Sequence, residues 1–102
     1  MFRYVHTNII AKDADNLIAF YKEILHCKSF SEKRDLSGEW LDKLTGLNKV
    51  HITGEHLLLP GYGKDYPTLE ILEYETMKDT IISEINHPGF AHIALEVDDV
   101  EA

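Results

Sequence analysis

HTNIIAKDADNLIAFYKEILHCKSF, residues 6–30, changes its hydrophobic period part-way along, and that change sets the fold. Residues 2–10 (FRYVHTNII) are rich in aromatic and β-branched side chains and predict a strand. Asp13 or Asp15 supplies a carboxylate to cap the first amides of a helix. Leu17, Phe20, Tyr21, Ile24 and Leu25 then recur at helical spacing, which predicts a helix over 14–26. A second strand is expected over 28–34.

Downstream, Ser37-Gly38 opens a short helix with Trp40, Leu41, Leu44 and Leu47 on one side and Gly46 as its stop. KVHITGEHLLL (49–59) reads as a long strand, with Gly54 at a bulge or bend. PGYGKDYP (60–67) holds two prolines and two glycines and must be a loop. TLEILEY (68–74) is a strand. Met77, Ile81, Ile82 and Ile85 mark a short helix over 76–86, ended by His87-Pro88-Gly89. FAHIALEV (90–97) is a final strand. The order is β-α-β-(short α)-β-β-(short α)-β, an α+β pattern. Asp98-Asp99 is a helix-start signal followed by three residues, so the chain reads as cut short.

The chain has 102 residues and a net charge of −8, enough for one domain with a small core. Such acidity argues against a sequence-independent nucleic-acid binder, which needs a basic patch. No apolar run approaches the length of a membrane span, and the N-terminus lacks the apolar core of a signal peptide. The single cysteine, Cys27, cannot form an internal disulfide. Together these predict a cytoplasmic setting.

The chemistry-bearing residues are six histidines (6, 26, 51, 56, 87 and 92) and the strand carboxylates. Ligands on a sheet must share a face, so period-2 parity decides which can meet. His6 shares a face with Tyr4 and Asn8, Glu70 with Thr68, Leu72 and Tyr74, and His92 with Phe90, Ala94 and Glu96. A carboxylate in the middle of TLEIL either faces solvent or has a cationic or metal partner. Pattern alone does not separate these two readings. His51 and His56 are five apart, which puts them on opposite faces unless Gly54 bulges. His26 ends a helix, where its dipole favours a cation. His87 lies in a loop. Cys27 follows a helix C-terminus, which does not favour a thiolate nucleophile. Tyr62 and Tyr66 are loop residues that could line a cleft.

Three segments in order resemble the vicinal oxygen chelate superfamily. It includes glyoxalase I, methylmalonyl-CoA epimerase, extradiol dioxygenases, and bleomycin- and fosfomycin-resistance proteins. HTNIIAKDADNLIAFYKEILHCKSF has the early strand His, the acidic turn and the Phe20-Tyr21 pair, with Ile24-Leu25-His26-Cys27 where the family usually has Val-Leu-Gly. TLEILEY is similar to the family's "ELxxY" strand. GFAHIALEVDDVEA resembles the strand that opens a second module. The resemblance implies one βαβββ module over 1–75, a linker over 76–89, and the start of a second module over 90–102.

The resemblance also implies a divalent metal (Zn, Ni, Co, Mn or Fe) held by His6, Glu70 and His92. The fourth family ligand, a Glu near the end of the second module that also serves as base, has no counterpart within residues 1–102. The implied activity is a glyoxalase I-like lyase or isomerase acting on a small vicinal-oxygen substrate through an enediolate, in a homodimer or module pair. Two alternatives share the fold: a bleomycin-resistance-like binding protein without metal, and an extradiol dioxygenase. In the dioxygenases the carboxylate usually comes last among the ligands, whereas Glu70 falls between the two histidines. Glutathione-using members often carry an Arg where this chain has Ile10. DLSGEWLDKLTGL (35–47) resembles an insertion acting as a lid or dimer contact; Trp40 and its leucines could equally cover the sheet. An uncovered apolar sheet face is expected to drive the pairing.

Overall fold

In a computed structural model, which describes residues 1–63, 67–79 and 84–99, five strands and two helices follow one another. They are β1 (His6–Ile10), α1 (Ala14–Glu23), β2 (Lys28–Ser29), β3 (Arg34–Ser37), α2 (Glu39–Thr45), β4 (His51–Leu58) and β5 (Thr68–Tyr74). The sheet order is β1-β5-β4-β2, with β3 also on β4. β1 runs parallel to β5, and the other pairings are antiparallel. This is the expected α+β architecture of a βαβββ module.

α1 starts where Asp13 accepts a hydrogen bond from the Asn16 amide at 3.1 Å. Glu73 of β5 accepts another from the Ala14 amide at 2.8 Å, which pins the helix start to the sheet. The helix ends as Cys27 N–H reaches back to Tyr21 C=O, with His26 at φ 59°, in the left-handed region. Ala14 and Ile18 then bury against Cys27, Leu57, Leu69 and Ile71, the core on one sheet face.

The expected strand over 28–34 is two short strands. Both pair with β4, but five residue steps from Ser29 to Arg34 match three from Leu57 to Gly54. Two residues therefore bulge out of the ladder. β4 itself is unbroken: its register against β5 runs continuously through Gly54, opposite Leu72. Gly54 marks a close approach of backbones rather than a bulge. A Cβ there would lie 2.0 Å from Ile71 C=O.

The other sheet face is divided. At one end α2 lays Leu41 over Val50, Ile52 and Leu72. Trp40 points outward and is 57% exposed, so Leu41 and not Trp40 covers the sheet. At the other end stand His6, Asn8, His56, Thr68 and Glu70, which share a face by their paired register. The expected uncovered apolar face is therefore polar where α2 leaves it uncovered.

Residues 90–97 form no strand and are exposed, contrary to the alternation of FAHIALEV. Alternation makes a strand only where another strand offers a free edge, and among the described residues this segment joins no ladder. Residues 77–79 are not helical either. Ile81 and Ile82 of the expected helix, Tyr66 of the loop and Val100–Ala102 lie outside the described residues. No described helix is long and apolar enough to cross a membrane.

Candidate metal centre

The β1–β5–β4 ladder brings three chemistry-bearing side chains to one spot. His6 is near the start of β1, Glu70 is third along β5, and His56 lies directly opposite Glu70 on β4. His6 Nε2 is 3.9 Å from Glu70 Oε1. That gap is too long for a hydrogen bond. Two donors on one tetrahedral ion, each about 2.1 Å from it, stand ~3.4 Å apart, so the pair is close to a spacing an ion would bridge. On the other side His56 Nε2 is 2.6 Å from Glu70 Oε2. The imidazole of His56 also meets Thr68 Oγ1 at 3.4 Å through Nδ1. The rings of His6 and His56 pack edge to face, 5.4 Å apart at 89°.

Exposure differs across the cluster. The His6 side chain is 40% exposed, Glu70 19% and His56 10%, so the cluster opens toward solvent on the His6 side. Asn8 Nδ2 donates to Glu70 C=O at 3.1 Å and ties the rim of β1 to β5.

The sequence-derived ligand set is thus brought together in part. His6 and Glu70 converge, whereas His92 lies in the exposed stretch 90–97 outside the sheet. Among the described residues no group of three or more His, Cys, Asp and Glu side chains is arranged to hold a metal ion. His6 Nε2 and Glu70 Oε1 are donors of a type a divalent ion takes, and a complete ligand set would need further donors beyond this pair. His56 is the neighbour that linear reading misses, because along the sequence it pairs only with His51. The signal that finds it is the hairpin register, which sets His56 opposite Glu70.

His51 stands on the opposite face from His56 and joins Glu75 (Nδ1 to Oε2, 2.7 Å) and Asp35 (Nε2 to Oδ1, 2.5 Å). The hydrogen bond to Glu75, then that to Asp35, raises its pKa above the ordinary imidazole value. His26 and His87 are exposed. Tyr62 borders an open cavity of about 890 Å³ between Ile24–His26 and residues 94–98. Burial pushes the Cys27 thiol pKa up, which agrees with an unreactive core cysteine.

Comparison with known proteins decides the family. Residues 3–102 match the model of the Glyoxalase/Bleomycin resistance protein/Dioxygenase superfamily. The chain belongs to this superfamily. A crystal structure of a glyoxalase family protein from Bacillus cereus superposes with a TM-score of 0.70 at 22% sequence identity. The alignment covers 88% of this chain and 59% of that one, so the chain spans under two thirds of that relative's length. At this identity the likeness is one of fold. No curated protein shows significant similarity. The His6–Glu70 pair lies on the same sheet face as α2, beyond the part that Leu41 covers.

Proposed function

We propose that His6 and Glu70 hold a divalent metal, and that the protein is a glyoxalase-like lyase or isomerase acting on a small substrate with two vicinal oxygens. The observation that carries this is the 3.9 Å gap between His6 Nε2 and Glu70 Oε1 on the part of the sheet face that α2 leaves uncovered. An imidazole nitrogen and a carboxylate oxygen suit Zn, Ni, Co, Mn or Fe alike. A divalent ion there supplies Lewis-acid polarisation of paired substrate oxygens.

His6 presents Nε2 from the solvent-open side, where a small molecule can enter. Glu70 presents one oxygen to the centre and has the other taken by His56. His92 is the third ligand of this reading. It reaches a centre through module pairing, for which a second copy of the chain is the simplest source. The carboxylate that removes the substrate proton is assigned to a second module and not to residues 1–102. The free, buried Cys27 suits a reducing, cytoplasmic setting.

A second reading is a metal-free binding module of the bleomycin-resistance kind. It is favoured by the 2.6 Å pairing of His56 with Glu70, which gives the carboxylate a partner without any ion.

Elemental analysis of the purified protein beside a His6→Ala/Glu70→Ala double variant separates the two. About one divalent ion per chain, lost in the variant, supports the metalloenzyme and directs a screen of 2-oxoaldehydes and acyl-CoA epimers. No metal in either, even after dialysis against Ni²⁺ or Zn²⁺, leaves the binding module.

A further inference from the structure

We propose that His56 is a positioning residue for Glu70: it holds Oε2 so that Oε1 is turned toward His6. This rests on the metal reading above and assigns a role to a side chain outside the expected ligand set.

His56 and Glu70 are direct partners across β4 and β5, so their Cβ atoms project from the same face at the shortest cross-strand spacing. His56 Nε2 lies 2.6 Å from Glu70 Oε2, in direct polar contact with that oxygen. The opposite nitrogen, Nδ1, faces the Thr68 hydroxyl at 3.4 Å. That hydroxyl is itself anchored, donating to Val5 C=O at 3.5 Å, so the ring has a fixed neighbour on each of its two nitrogens. The ring is also gripped: the residue is buried, and its neighbour His6 packs edge-on.

The consequence is a carboxylate with one oxygen committed and one free. An unheld glutamate must lose rotamer freedom when it binds an ion, whereas this one has lost it already. Fixing one oxygen also favours a one-oxygen contact over a two-oxygen clasp. Hydrogen-bonded ligand carboxylates of this kind are a recurrent support for metal sites. His56 is not itself placed as a ligand, because Nε2 is occupied by Oε2 and no three-residue group is formed among the described residues.

The test is calorimetric titration of the full chain with Zn²⁺, comparing wild type, His56→Leu and His56→Gln, with circular dichroism to check folding. His56→Leu should weaken Zn²⁺ binding by roughly 10–100-fold. His56→Gln, whose amide can donate to Oε2, should recover most of the loss. Unchanged affinity in His56→Leu, or no recovery in His56→Gln, overturns the inference. A wild type that takes up no Zn²⁺ overturns the metal reading beneath it, which is a distinguishable result.

A second measurement needs no variant. In ¹⁵N-imidazole NMR of the wild type, Zn²⁺ should shift a nitrogen of His6 to a metal-bound position and neither nitrogen of His56. A metal-bound nitrogen on His56 would make it a ligand and overturn the positioning role.

Discussion

Glu55 and His56 are adjacent in β4 and stand on opposite faces of the sheet, and each meets a polar side chain on its own face. Glu55 points under α1, where Lys22 Nζ lies 2.9 Å from its Oε1 and the Ser29 hydroxyl donates to the same oxygen. His56 points to the open face and takes Glu70. One dipeptide thus anchors the helix layer on one side and shapes the candidate centre on the other.

Glu55 is 3% exposed, so its carboxylate depends on those partners. Burial raises its pKa, but the hydrogen bonds from Ser29 and Lys22 and the charge of Lys22 outweigh burial, and the net shift is downward. Lys22→Met should cost about 1–3 kcal/mol, less than a fully buried pair because the lysine is one-third exposed. Urea denaturation of Lys22→Met and of Lys22→Met/Glu55→Gln checks it. The double variant should recover part of the loss. With a folded pKa below the ordinary value, Glu55 stabilises fully above about pH 4.3 and progressively less as pH falls through the lower folded value.

His51 has the opposite sign. Its pKa is raised by hydrogen bonds to Glu75 and Asp35, so its stabilisation is complete below about pH 6.5 and drains as pH rises through the higher folded value. Thermal melts across that window should show wild type losing stability on the alkaline side. His51→Gln should be flatter there. Parallel curves for the two proteins would remove His51 from the account.

Gly54 is set by a backbone approach. An added Cβ would lie 2.0 Å from Ile71 C=O and 2.9 Å from Leu72 Cα, and the neighbours are backbone that cannot rotate away. Gly54→Ala should cost at least about 3 kcal/mol by forcing β4 from β5. It should also disturb the His56–Glu70 rung two residues along. A variant melting within a degree or two of wild type contradicts this.

His26 holds φ 59° at the end of α1 and is exposed. A non-glycine residue there is strained by about 1–2 kcal/mol, partly offset by the extra chain entropy of glycine. His26→Gly should therefore stabilise by up to about 1 kcal/mol, measured by denaturation. Destabilisation would mean that the imidazole supports the last helical turn through its dipole.

Much of the fold was legible because local physics decided it. The Asp13 cap and the 3.6-residue spacing of Leu17, Phe20, Tyr21 and Ile24 specify α1 without reference to the rest of the chain. Alternation and flanking turn residues specify β5 at Thr68–Tyr74. FAHIALEV carried the same alternation and did not become a strand, because a ladder needs a second edge that a pattern cannot supply. The two-residue bulge between β2 and β3 was hidden for the same reason, since it exists only relative to β4.

For the site, the sequence by itself determined residue types and parity: a histidine on β1, a carboxylate inside TLEIL, and a resemblance that joined them. Only the tertiary structure decided that the parallel β1–β5 pairing brings His6 to 3.9 Å from Glu70, and that the β4–β5 hairpin sets His56 on the same carboxylate. The reason is separation along the chain. Residues 6, 56 and 70 share no local period, so their meeting is fixed by sheet order and register, which arise from the packing of the whole module.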